Sequence, residues 1–253
     1  MDLLKLGKYE FHSRFILGSG KFNLDLIKAA VEQAGAEIIT LALRRVNSGG
    51  VENILDFIPE NITLLPNTSG ARTAQEALRI ARLAKELCGS DLIKIEVIRD
   101  SKYLLPDNFE TIKAVEILAK EGFTPLPYMY PDLYAARAMR DAGAAAIMPL
   151  AAPIGSNKGL QTREFIQILL DEVDLPIIVD AGLGTPAQAC EVMQMGASAV
   201  MINTAIANAG DIAAMARAFK LAVEAGRTAF LAKLAPQAKF AEASSPLTGF
   251  LRD

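Results

Sequence analysis

The chain has 253 residues, 51% of them hydrophobic and 22% charged, with a formal net charge of −3 at pH 7. That apolar content supplies a large buried core and excludes a disordered chain, while the small negative charge, with no basic run of five or more residues, excludes a nucleic-acid binder. No apolar stretch reaches the length of a membrane span, and the opening MDLLKLGKYEF is too polar for a signal peptide, so a cytoplasmic, membrane-free protein is expected.

Short apolar, β-branched runs recur along the chain, each followed by a segment of helical periodicity. In order they are RFILGSG from Arg14, EIITLAL from Glu37, NITLLPN from Asn61, DLIKIEV from Asp91, TPLPYMY from Thr124, AAAIMPL from Ala144, PIIVDAG from Pro176 and AVMINTA from Ala199. Strands buried on both faces read as continuous apolar runs, as PIIV and AVMI do, which predicts a parallel sheet. The helical segment TAQEALRIARLAKELCG carries a stripe of Ala77, Ile80, Ala81, Ala84 and Leu87, with Gly89 suited to the left-handed position past its end. NFETIKAVEILAKEG repeats the design, with Asn108 as N-cap and Gly122 as the stop. An eighth helix is expected over roughly 210 to 232, and from about 233 a tail ending ASSPLTGFLRD shows neither pattern.

Eight alternating units in a chain of this length predict an α/β fold, a (β/α)8 TIM barrel of parallel strands, which closes at about 250 residues. An open doubly wound sheet is the alternative. With no linker or second composition zone, residues 1–253 read as one catalytic domain. Cys88 and Cys190 fall in helical patterns and His12 is the sole histidine, so neither a disulfide framework nor a metal site is expected, and no cofactor is implied. Met193 and Met195 read as helix packing.

The fourth run breaks the apolar rule. Side chains alternate along a strand, so Leu92, Lys94 and Glu96 share one face, and Ile93, Ile95 and Val97 the other. The aliphatic face belongs against helices, which turns Lys94 and Glu96 into the barrel. Desolvation there lowers a lysine pKa and frees the amine to attack a carbonyl, the requirement for an imine. The plainer reading is a stabilising Lys94–Glu96 ion pair. Asp180 ends the seventh run at the rim where barrel active sites assemble, and with Glu96 it offers carboxylates for proton transfer. Its plainer reading is a helix cap.

Three loops after the sixth, seventh and eighth runs, APIGSNKG, AGLGTP and NTA, are rich in glycine or small polar residues. Glycine-loop N–H groups aimed with a helix N-terminus bind anions, and barrels place phosphate after strands seven and eight. Gly155, Ala181, Gly182, Asn203 and Thr204 are the candidates for a phosphate pocket. Arg44 and Arg45, after the second run, read as surface or interface charges or as a grip on an anion.

The set ALRRV from Ala42, LPNTSGARTAQEA from Leu65, KIEVIRD from Lys94, LLPD from Leu104, PIGSNKG from Pro153, VDAGLGTP from Val179, INTAIA from Ile202 and the tail ASSPLTGFL closely resembles bacterial thiazole synthase, in order over nearly the whole chain. Arg99, after the lysine strand, is the one departure noted. The resemblance implies synthesis of the thiazole phosphate of thiamine by a transferase. It makes 1-deoxy-D-xylulose 5-phosphate the substrate, Lys94 the imine-forming lysine, Glu96 and Asp180 the acid/base carboxylates, and Gly155, Ala181–Gly182 and Asn203–Thr204 the phosphate site. It further implies sulfur arriving as a thiocarboxylate on a small ubiquitin-like sulfur carrier protein, dehydroglycine from a separate source enzyme, and a homotetramer. Neither cysteine sits at a strand end or in an electropositive loop where a reactive thiolate is expected, which agrees with sulfur from outside. Other Schiff-base barrels on sugar phosphates, a class I aldolase or a pyridoxal phosphate synthase subunit, share such a site, and a non-catalytic barrel that binds a phosphosugar or docks a carrier is the non-enzyme alternative.

Overall fold

A computed structural model describes residues 2–18, 23–42 and 57–241. Two short strands, β1 (Leu4–Leu6) and β2 (Tyr9–Phe11), come first. The eight expected strands follow as β3 (Phe15–Leu17), β4 (Ile38–Ala42), β5 (Thr63–Asn67), β6 (Leu92–Ile95), β7 (Thr124–Met129), β8 (Met148–Pro149), β9 (Ile178–Val179) and β10 (Ala199–Ile202). They pair in parallel in the order β8-β7-β6-β5-β4-β3-β10-β9. The two ends of that row then meet, Ile147 bridging to Ile177 and Leu150 to Asp180, with Ile178 N donating to Ile147 O and Asp180 N to Pro149 O at 2.9 Å each. The sheet is thereby a (β/α)8 barrel with no free edge, and the open-sheet alternative is excluded.

Helices α1 (Leu24–Glu32), α2 (Ala74–Cys88), α3 (Asn108–Lys120), α4 (Leu133–Asp141), α5 (Arg163–Glu172) and α6 (Pro186–Met195) follow β3, β5, β6, β7, β8 and β9. The helix expected after β4 falls within residues 43–56, outside the described residues, as do Arg44, Arg45 and the tail motif ASSPLTGFL. After β10 the chain forms a four-residue helix, α7 (Thr204–Ala207), which the sequence pattern did not announce, and then α8 (Ile212–Ala232), close to the expected bounds. No helix among the described residues is long and apolar enough to cross a membrane.

Alternation sorts the core into an inside and an outside. Ile16, Ile38, Leu65, Leu92, Leu126 and Ile178 fill the barrel interior, while Ile93, Ile95 and Val97 pack outward against Ala77, Ala81, Ala114 and Leu118 of α2 and α3. Two local expectations need correction. The N-cap of α3 is Asp107, whose Oδ1 accepts from Glu110 N at 3.0 Å. Asn108 instead clasps the backbone of Tyr130, donating Nδ2 to its carbonyl at 2.9 Å and accepting from its N–H at 3.0 Å. The buried stripe of α2 is Ala74, Ala77, Leu78, Ala81 and Ala84, and Leu87 is exposed, because the helical repeat turns it off that face toward the side of exposed Leu83. Gly89 does take the left-handed cap, at φ 62°.

The hairpin of β1 and β2 forms the floor. Leu4, Leu6 and Phe11 are buried beneath the interior layer, with Lys5 and Glu10 outward and paired at 2.9 Å. Lys8 Nζ lies 2.8 Å from Asp91 Oδ2 and the Tyr9 hydroxyl donates to the same carboxylate, just before β6. Asp2 clamps the start of the chain to Arg14 and Arg227 at 2.8 and 2.7 Å. The barrel is thus closed at its N-terminal end and open only toward the strand C-termini.

Candidate active site

Lys94 lies in mid-β6, and its side chain enters the interior above Leu92, as strand alternation dictates. Lys94, Glu96 and Asp180 are 5%, 7% and 5% exposed. The ammonium stands 2.9 Å from Glu96 Oε1 and 2.5 Å from Asp180 Oδ2. The second contact is an ion pair off the angle of a hydrogen bond, since Asp180 Oδ2 meets no well-directed donor. Nζ also contacts Met201 Sδ at 3.4 Å and faces the Tyr128 ring, 5.4 Å from its centroid. The expected depression of the lysine pKa is not what this geometry produces. Burial does push it down, but the adjacent charges of Asp180 and Glu96 outweigh burial and hold it above the ordinary lysine value. For Asp180, burial is the larger influence and raises the carboxyl pKa against the pull of Lys94.

The frame around these groups is fixed by backbone. Thr68 Oγ1 accepts from Glu96 N and donates to Glu96 O, both at 2.8 Å, locking the exit of β6. Asp180 is not a helix cap: α6 is capped by Thr185, in a reciprocal capping box with Gln188. Asp180 Oδ1 instead accepts from Ala181 N at 2.7 Å. The turn that follows places Ala181 at φ 56° and Gly182 at φ 82°. A Cβ on Gly182 would lie 2.6 Å from Ala152 N, so this position needs glycine both for its conformation and for its close approach to the loop after β8.

All eight residues singled out from sequence line one cavity of about 260 Å³ at the C-terminal mouth of the barrel: Lys94, Glu96, Gly155, Asp180, Ala181, Gly182, Asn203 and Thr204. Among the described residues that line it, Lys94 is the single cation. Gly155, at φ 72°, faces Thr204 across the mouth, where an added Cβ would stand 3.9 Å from the Thr204 hydroxyl. Neither Gly155 N nor Gly182 N donates to a protein acceptor among the described residues. Asn203 donates Nδ2 to Gly18 O at 2.6 Å, pinning the start of α7 to the end of β3. The arrangement can hold an anion at the glycine loops and present an amine with two carboxylates at the base.

The structure adds residues that sequence reading did not single out. Gly18, Ser69, Leu104, Asn157 and Met201 also line the cavity, and Tyr128 backs the lysine from β7 with its hydroxyl buried. The period-2 pattern of TPLPYMY carried the signal for Tyr128, because it puts that ring on the inward face with Leu126. A tyrosine in an apolar run is otherwise unremarked.

The family model described as thiazole biosynthesis protein ThiG matches residues 5–246. The chain is 77% identical over 252 residues to thiazole synthase of Campylobacter jejuni (strain RM1221), covering 100% of this chain and 97% of that protein. It is 70% identical over 253 residues to thiazole synthase of Clostridium beijerinckii, covering 100% and 99%. Among solved structures, that of the Amycolatopsis orientalis BexX/CysO complex superposes with a TM-score of 0.84 at 31% identity, over 94% of this chain and 98% of the other. A closed barrel with its lysine and two carboxylates below a glycine-lined mouth, matched over nearly its full length by these relatives, belongs to the thiazole synthase family of thiamine biosynthesis.

Proposed function

We propose that the protein, as a transferase, condenses 1-deoxy-D-xylulose 5-phosphate, held as an imine on Lys94, with dehydroglycine and with sulfur from the thiocarboxylate of a small ubiquitin-like carrier protein, giving the thiazole phosphate of thiamine. The observation that carries this reading is the Lys94 amine between Asp180 and Glu96, at 2.5 and 2.9 Å, at the base of a pocket open to solvent. The resting amine is charged, so reaction begins with its proton passing to Asp180, which burial has made a stronger base than an ordinary carboxylate. The free amine attacks the substrate ketone. Asp180 or Glu96 returns a proton to the departing hydroxyl, water leaves, and a protonated imine remains. A carboxylate then removes a proton from the carbon beside the imine, the rearrangement that precedes sulfur entry.

The substrate phosphate is assigned to Gly155, Ala181–Gly182 and Asn203–Thr204. Their loops line the same cavity as the amine, and barrels favour phosphate at this end of strands seven and eight. A protein partner is supported by BexX being seen in complex with CysO, and the mouth of the cavity is where a carrier terminus would enter. Homotetramer formation, a separate source enzyme for dehydroglycine and a cytoplasmic location complete the proposal.

The test is borohydride reduction in the presence of 1-deoxy-D-xylulose 5-phosphate, followed by peptide mass mapping. A reduced adduct on Lys94 is expected. Carbon–carbon cleavage of a sugar phosphate with no response to a thiocarboxylate donor would instead make the protein an aldolase, and no adduct at any lysine would make it a binding barrel.

A further inference from the structure

The chemistry of adduct formation changes what the lysine can offer its neighbours, an argument that rests on the imine reading above. An ammonium has three N–H donors, and that of Lys94 is set against Asp180, Glu96 and the Met201 sulfur. The protonated imine keeps the positive charge but only one N–H. Asp180 and Glu96, each less than a tenth exposed, then share one N–H in place of three, Asp180 Oδ2 lacking a well-directed donor even at rest, and a buried charged acceptor without a donor is costly. Tyr128 stands beside them: its ring faces Nζ at 5.4 Å, it is fully buried, and its hydroxyl has no hydrogen-bond partner among the described residues. A buried hydroxyl left unpartnered in a well-packed interior is itself unfavourable and calls for an explanation, which the neighbouring lysine and carboxylates supply if the donor serves the adduct state.

We propose that Tyr128 is a positioning residue for the imine-forming lysine, its ring holding the nitrogen and its O–H turning to the carboxylate that Lys94 releases when the adduct forms. The titratable groups around it are Lys94 on β6, Glu96 just past its end and Asp180 after β9. Burial, with the charges of Asp180 and Glu96, holds the phenol well above its ordinary pKa, so it remains a donor across the working range.

The experiment compares wild type with Tyr128→Phe and Tyr128→Leu in borohydride trapping of 1-deoxy-D-xylulose 5-phosphate across pH, with thermal melts of each protein. Phenylalanine keeps the ring and loses the hydroxyl. Removing an unpartnered buried hydroxyl leaves the resting fold at least as stable, so Tyr128→Phe melts no lower than wild type. Its trapping rate at subsaturating substrate falls roughly tenfold, the worth of a hydrogen bond to a charged group. The acid limb of its pH profile moves to higher pH, because the released carboxylate lacks its donor and takes up a proton more readily. Tyr128→Leu, which loses the ring as well, traps less than the phenylalanine variant. A wild-type trapping rate with an unmoved acid limb in Tyr128→Phe overturns the proposal and leaves the imine intact, as does a loss that merely tracks a lowered melting temperature. A wild-type protein that traps nothing overturns both.

Discussion

Lys94 reaches the interior by alternation alone, and the side chain two residues on follows it, which is why both were legible in DLIKIEV. The charge state of the amine was not, because it depends on Asp180, which arrives from a strand 86 residues later and sits closer to Nζ than Glu96 does. Lys94→Ala abolishes the reducible adduct and turnover, read by the mass of the trapped protein and by product formation. Its stability carries a second signature. With the cation gone, Asp180 keeps the burial that raises its pKa and loses the charge that opposed it, so the folded form binds more protons than the unfolded one. Stability of the variant therefore falls as pH rises above the unfolded carboxyl value of about 4, and a urea melt places it near wild type at about pH 5 and below it at about pH 8, toward a loss on the order of 3–5 kcal/mol. In the wild type the lysine adds an effect of the same sign in a different window: its raised pKa contributes stability fully present below about 10.5 and lost as pH climbs through the folded value. A variant equally unstable at both pH values would show that the two carboxylates do not depend on the lysine.

At the level of elements, the eight strands could be read because strands buried on both faces are continuous apolar runs, and helix ends because glycine and small polar caps punctuate them. What escaped were features whose determinants are too short for a period to show. Strands β1 and β2 have three residues each, α7 has four, and the choice of Asp107 over Asn108 as cap turns on one residue of register. Helix-to-helix contact was not legible either. Helices α6 and α8 approach so closely that a Cβ on Gly226 would lie 2.3 Å from the Cys190 carbonyl oxygen, a backbone atom that cannot rotate away. Gly226→Ala adds about 1 kcal/mol of helix propensity, but forcing two packed helices apart costs about 1–3 kcal/mol, and the clash prevails. The expected result is a lower urea midpoint with an unchanged m-value. A stabilised variant would mean that the two helices slide apart without strain.

For the whole molecule, closure is a property no single segment displays: it exists only because Ile147 and Leu150 bridge to Ile177 and Asp180. The same joint sets Asp180 at the mouth, so the site depends on the ring being shut. At the other end the hairpin floor supports the interior on which Lys94 rests, and Asp2 is its outermost clasp. The Arg227 guanidinium, with Arg14 beside it, holds the Asp2 carboxyl down from 3.8 to about 2, against the opposing effect of burial. A depressed folded pKa contributes stability that is present above the unfolded value and lost as pH falls through the folded one. The Asp2 side chain is 38% exposed, so solvent screening reduces that contribution to about 1 kcal/mol. Asp2→Asn should therefore melt about 2–4 °C below wild type at neutral pH, with the gap closing as pH is lowered toward the folded Asp2 value, measured by calorimetry at matched ionic strength. A gap that stays constant across that acid range would show that the clasp acts by packing of the chain end and not by charge.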